Sequence, residues 1–360
     1  MVKKGLFNFI INVFIYYAVI SGTIIGTNYF VDASSVIRPQ SNGQMARLAL
    51  EGNIIATPEN YNERVYQVCI VDNMKTLPET IVIGSSRGMF VGEEITGYSN
   101  IYNNCVSGAC IEDYYALLGL YHERFNDLPK RVIIETSPWV FYAANPEDRW
   151  REDDTYYGSA CAFFKEVNEV DLEADNNLNA ENPYISLSYF RYNIEQWREK
   201  GYEVFQEDAR ISIDTSEAAD FPDGTIRYEA SLENESPDRL NKVLAKNGAC
   251  TYEDSNNMTE IDFEKSMRYE KLIDYLQNNG VEVIIYMQPF SVTQCKYSFD
   301  DNLNPGYALA YDYIINLANK REIKVHGGYD ARIFGLSDVQ FIDYMHLDRE
   351  GTNLVWHYNF

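Results

Sequence analysis

The sequence predicts a three-layer α/β/α domain built on a five-stranded parallel sheet and tethered to a membrane by an N-terminal helix. Three observations carry that expectation. Short apolar, largely β-branched runs alternate with helix-periodic segments from about residue 78 onward, small and polar residues gather just after those runs, and residues 6–25 form an uncharged apolar stretch. Strand, helix and strand in repetition place helices on both faces of a parallel sheet.

The N-terminal stretch is long enough to cross a hydrocarbon core as a helix. Lys3 and Lys4 precede it and the first acidic residue, Asp32, follows it, which puts the N-terminus in the cytoplasm and the rest of the chain outside. An uncleaved anchor over residues 1–30 is favoured over a cleavable signal peptide, because the run exceeds the usual apolar length and no A-x-A site follows. Residues 31–77, with the turn-forming Arg38-Pro39-Gln40-Ser41-Asn42-Gly43, read as a juxtamembrane stalk with a helix leading into the domain at 78–360.

The first strand is Thr80-Ile81-Val82-Ile83, ended by Gly84, and the second is the weaker Asn100-Ile101-Tyr102-Asn103. A helix over 111–124 follows, with Ile111, Tyr114, Tyr115, Leu118 and Tyr121 on one face. Arg131-Val132-Ile133-Ile134 is the third strand. Residues 140–258, rich in Asp, Glu, Asn and Tyr and carrying the turn Phe221-Pro222-Asp223-Gly224, read as a large insertion of short helices and loops. Alternation resumes with a helix over 262–279 closed by Gly280, a fourth strand over 281–287, a helix over 306–320, a fifth strand at Lys324-Val325, and a last helix over 348–356.

Composition narrows the partners. With 54 acidic against 30 basic residues and a net charge of −24, the chain lacks the clustered cations that phosphate backbones or an anionic membrane surface would draw on, so no nucleic-acid partner is expected. No C-x-x-C pair or Cys/His cluster has zinc spacing, so no metal is expected. The six cysteines leave free thiols and bridges both open, with Cys105–Cys110 and Cys161–Cys250 the pairings to test. Trp139, Trp150, Tyr156 and Tyr157 read as aromatic core or as a carbohydrate platform.

Ligands of open parallel sheets sit beyond the carboxyl ends of the strands. There the sequence collects Gly84-Ser85-Ser86-Arg87-Gly88, Asn103-Asn104-Cys105-Val106-Ser107-Gly108-Ala109, Glu135-Thr136-Ser137-Pro138-Trp139, and, before the last helix, Asp343-Tyr344-Met345-His346. Ser86 at a strand-to-helix turn fits a nucleophile, His346 its general base, and Asp343, three residues away, the group that fixes the imidazole tautomer. The chain has only four histidines, so His122, His326 and His357 are the sole competitors, and His326 and His357 read as surface or satisfied polar positions.

These residues carry a resemblance. Gly84-Ser85-Ser86 resembles the Gly-Asp-Ser block of SGNH (GDSL-type) hydrolases with Ser85 in place of Asp, residues 104–108 resemble their second block, and Asp343-x-x-His346 is similar to their last. The resemblance implies a flavodoxin-like sheet, a Ser86–His346–Asp343 triad, an oxyanion hole from the N–H groups of Ser86 and Gly108, and no cofactor. The family's third block, Gly-x-Asn-Asp, is replaced here by Glu135-Thr136-Ser137-Pro138-Trp139. That replacement resembles the membrane-anchored branch associated with cell-envelope polymers, including teichoic acid D-alanylation and polysaccharide O-acetylation proteins. The implied activity is that of an esterase or O-acyltransferase on an acylated envelope polymer, with Arg87, Asn104, Thr136 and Ser137 on the substrate side. The alternative is an accessory protein that binds such a polymer or a membrane acyltransferase.

Overall fold

The structure, a computed structural model, describes residues 2–33, 37, 40–58, 61–172, 182–202, 209–233, 258–300 and 305–358. Its centre is a parallel sheet of β1 (Thr80–Ile83), β2 (Ile101–Asn103), β3 (Arg131–Glu135), β4 (Glu282–Met287) and β5 (Lys324–Gly327), in the order β2-β1-β3-β4-β5. Register is continuous across it: Thr80 lies beside Ile101 and Arg131, Arg131 beside Glu282, and Ile284 beside Lys324. Every residue of β1 is buried, as a strand covered on both faces requires. Strand order reverses between β1 and β3, which opens a crevice beyond their carboxyl ends.

Helix α1 (Val2–Val31) is exposed over residues 7–20 and partly covered toward its end, and residues Phe7–Val31 are long and apolar enough to cross a membrane. The expected stalk is in large part folded domain. Helices α2 (Gln40–Leu50) and α3 (Glu63–Asn73) pack together, and Met45, Ala46, Ala49, Tyr66, Ile70 and Val71 join the core of the sheet. Two buried polar residues of α3 obscure this in the sequence. Arg64 forms a two-point pair with Asp113 at 2.7 and 3.1 Å, and Gln67 accepts from Asn104 at 2.7 Å. Arg38 and Pro39 lie outside the described residues.

The 140–258 segment also contributes to the core. After α4 (Ile111–Phe125), helix α5 (Asp154–Asn168) packs along it, Ser159 Oγ donating to the Ala116 carbonyl at 3.1 Å. A side chain at Gly119 would meet the Ser159 carbonyl at 2.7 Å, so the two backbones approach as closely as they do only because that position is glycine. Trp139, Trp150 and Tyr156 are buried, and half-buried Tyr157 stacks on Trp150, so these aromatics are core rather than an open platform. Helix α6 (Leu187–Lys200) follows and lies against α1.

Further on, the two-residue strands Ala219–Asp220 and Ile226–Arg227 form a small antiparallel sheet with Ile55–Ala56. The Phe221–Gly224 turn between them sits on the end of β2, where the Asn103 N–H donates to the Asp223 carbonyl at 2.7 Å. Helices α7 (Phe263–Asn278), α8 (Pro305–Arg321) and α9 (Arg349–Trp356) complete the chain, α7 capped by Asp262 and closed by Gly280 at φ +77°. The thiols of Cys69, Cys105, Cys110, Cys161 and Cys295 are free, so Cys105 and Cys110 are not bridged; Cys250 lies outside the described residues. Burial pushes the Cys105 and Cys110 thiols well up, which leaves them protonated.

Candidate active site

Beyond the β1–β3 reversal, Ser86 is half-exposed and its Oγ donates to Nε2 of His346 at 2.8 Å. On the other side of the ring, Nδ1 donates to Oδ2 of Asp343 at 2.8 Å. A hydroxyl, an imidazole and a carboxylate thus stand in one hydrogen-bonded row. Residues 260 positions apart meet here.

Local structure holds each member. Gly84 adopts φ +152°, and a side chain there would come within 2.4 Å of Glu135 Cβ, so the chain leaving β1 passes Glu135 at the end of β3 at a separation only glycine allows. Residues Ser86–Gly88 form a single 3-10 turn with Ser85 as its N-cap. That is shorter than the helix the sequence implies, so any oxyanion stabilisation rests on individual N–H groups rather than on a helix dipole. Neither the Ser86 nor the Gly108 N–H is taken up by a hydrogen bond among the described residues. Gly108 has φ +64°.

The base and acid share one tight loop. Phe341 and Leu347 bridge in antiparallel fashion and the Ile342 N–H donates to the His346 carbonyl at 2.9 Å, closing the loop at its neck. Inside it, Oδ1 of Asp343 accepts the N–H groups of Met345 and His346, each at 2.8 Å. Burial pushes the Asp343 carboxyl up, but His346 and these N–H groups outweigh it and hold the carboxyl below its ordinary value. The acid therefore stays ionised through the neutral range, and the tautomer with hydrogen on Nδ1 is the one its position favours.

The four residues expected on the substrate side lie elsewhere. Arg87 is fully buried, its guanidinium 3.8 Å above the Phe290 ring and its Nη2 bonded to the Gln288 carbonyl. Burial lowers its pKa, and nearby Glu135 opposes that fall. Asn104 is also fully buried, donating to Gln67 and accepting from the Tyr121 hydroxyl at 3.0 Å. Thr136 pairs its hydroxyl with Tyr269 at 2.7 Å, and Ser137 donates to Glu135 Oε1 at 2.6 Å. All four are buried, and their polar groups take partners inside the domain rather than at the rim.

Two residues hold places at the site that the sequence does not assign them: Glu135 stands in the third strand-end block without a role there, and Tyr228 is unmarked. Buried Glu135 accepts the Ser85 N–H at 2.7 Å as well as the Ser137 hydroxyl, and so braces the nucleophile turn from below. Its place at the last position of β3, with Ser85 and Ser137 each next to a strand end, was the only available signal. Tyr228, brought in by the small sheet, has its ring 6.3 Å from that of His346 and 5.6 Å from Phe90. Nothing in the local sequence marks it, since the contact spans the insertion.

A cavity of about 540 Å³ opens next to the loop after β2, lined among others by Tyr61, Arg64, Ser107 and Arg149 from the domain and by Tyr189 and Tyr192 from α6. Ser107, the neighbour of Gly108, is among its lining residues, and Ser86, Asp343 and His346 are not. Among the described residues no group of three or more His, Cys, Asp or Glu side chains is placed to hold a metal ion. No family model and no curated protein matches the chain.

Proposed function

We propose that the protein is a membrane-anchored serine esterase or O-acyltransferase of the SGNH type, acting outside the cytoplasm on an acylated cell-surface polysaccharide or related envelope polymer. The observation that carries this reading is the Ser86–His346–Asp343 row, with both hydrogen bonds at 2.8 Å. His346 Nε2 removes the Ser86 proton as Oγ attacks the ester carbonyl, and the Nδ1 proton stays on the ring, balanced by Asp343. The alkoxide leaves with the proton from Nε2, and the acyl-Ser86 ester passes to water or to an acceptor hydroxyl by the same steps in reverse. The free N–H groups of Ser86 and Gly108 are the donors offered to the developing oxyanion. Helix α1 supports the anchor, and the aromatic and charged cavity beside Gly108 is a place for a polymer to lie.

A fluorophosphonate probe on the full-length protein tests the assignment. Labelling of the wild type that vanishes in Ser86→Ala, together with loss of acetyl-ester turnover, supports it; turnover unchanged by Ser86→Ala refutes it. The inward turn of Thr136 and Ser137 favours a second reading, an accessory protein that binds a polymer or a membrane acyltransferase, because no side chain replaces the third-block donor. Folded wild type that resists the probe would establish that alternative over catalysis.

A further inference from the structure

We infer that α6 is an in-plane membrane helix, its outward face seated at the headgroup–acyl boundary of the leaflet through which α1 emerges. The inference rests on the reading of α1 as a membrane-spanning helix, and the occupant it commits to is the lipid surface itself.

The length of α1 sets the level of its end along the membrane normal. The apolar run Phe7–Val31 has 25 residues. At about 1.5 Å per residue that is ~37 Å, longer than a hydrocarbon core of ~30 Å, so its last turns stand at headgroup depth. At that level Asn28 is fully buried, donating through Nδ2 to the carbonyls of Pro183 at 2.8 Å and Ser186 at 3.0 Å and accepting from Asn193 Nδ2 at 3.2 Å. The Ala33 N–H donates to Asn193 Oδ1 at 2.8 Å, and the Tyr189 hydroxyl donates to Asp32 at 2.7 Å. These contacts fix the first half of α6, and the segment that leads into it, to the end of α1.

Side chains are distributed unevenly around α6. At about 100° per residue, Leu187, Phe190, Ile194 and Trp197 fall within an arc of roughly 80°, with Arg191 and Arg198 beside it. Ser188, Tyr189 and Tyr192, which line the cavity next to Gly108, lie almost opposite. The apolar arc therefore lies on the side of α6 away from the cavity, with Phe190 and Ile194 half-buried and Tyr192, on the open cavity side, 37% exposed. Leu187 is 56% and Trp197 44% exposed, and the flanking Tyr184, Ile185 and Tyr202 are exposed as well. Trp and Tyr favour the membrane–water boundary, and flanking arginines can bury their stems while their heads reach lipid phosphates. One consequence is that the cavity lies directly over an interfacial helix, so whatever enters it is met at the bilayer surface.

The test uses the full-length chain in bilayers whose lipids carry bromine near the glycerol end or near the methyl end of the acyl chain. Trp139, Trp150 and Trp356 are buried, which leaves Trp197 as the exposed emitter. The expected result is loss of tryptophan emission that is larger with the shallow bromine, disappears in Trp197→Phe, and is not restored when Tyr192→Trp is added to that variant. Carbonate washing tests α1 separately. A chain retained by carbonate but with Trp197 unquenched keeps the spanning reading and overturns the in-plane helix, whereas release by carbonate overturns both. Equal quenching at positions 192 and 197 overturns the orientation.

Discussion

Two histidines sit at opposite ends of the same stretch of chain and behave in opposite ways. His346 offers Nδ1 to a carboxylate and Nε2 to a hydroxyl, and remains partly open to solvent. His326, on β5, donates Nδ1 to the Trp356 carbonyl at 2.6 Å and stacks on the Trp356 ring at 3.9 Å, with Nε2 unbonded among the described residues. Burial pulls the His326 pKa down to about 4, with Lys324 adding to the effect. A carbonyl can hold an imidazole in place but cannot neutralise an imidazolium, and a carboxylate can do both. Position under a sheet rim thus does not make a histidine a base; the charge of its second partner does.

Breaking the row at its base has the largest expected effect. His346→Ala should lower kcat for an acetyl ester by on the order of 10⁴-fold or more, since nucleophile and base act as a unit, while His326→Gln should leave kcat unchanged. Asp343→Asn should cost about 10³–10⁴-fold by releasing the wrong tautomer, and combining it with His346→Ala should add little, which a double-mutant comparison of turnover would read directly. Gly84→Ala should lower kcat by roughly 10²-fold through displacement of the Ser86 turn, with intact far-ultraviolet circular dichroism separating displacement from unfolding.

The smallest effect concerns acid stability. Because folded His326 resists protonation down to about pH 4, whereas an unfolded histidine takes a proton near 6.5, the unfolded chain binds more protons between those values. Stability should fall as pH drops through that window, and the fall in denaturation midpoint should be shallower in His326→Gln. Asp343, held below its ordinary value, contributes stability that is present above the unfolded carboxylate range and is lost only below it. The two contributions therefore separate on the pH axis.

All five strands and the helices over 111–124, 262–279, 306–320 and 348–356 were legible within a residue or two. Buried parallel strands are short apolar runs with abrupt polar ends, and Asp262, Gly280 and Asp348 mark helix boundaries by local hydrogen bonding. Ser86 follows a strand end and was legible for the same reason, and Asp343 and His346 by their three-residue spacing just before the last helix. Features that depend on distant partners were not. Nothing near Arg87 announces Phe290, nothing near Thr136 announces Tyr269, and the buried pair Arg64–Asp113 makes α3 look like a solvated stalk. The side of the rim on which a polar residue turns depends on packing between elements far apart in the chain.

The turn at Phe221–Gly224 has a consequence for the outermost strand. With β1 on one side only, β2 would offer its other backbone groups to any passing extended segment, the arrangement from which intermolecular strand addition begins. The Asp223 carbonyl occupies the Asn103 donor, and a side chain at Gly224 would stand 2.1 Å from the Asn103 oxygen, so no second backbone can approach there. Shortening the insertion at this turn would uncover that border of the sheet and favour self-association through it.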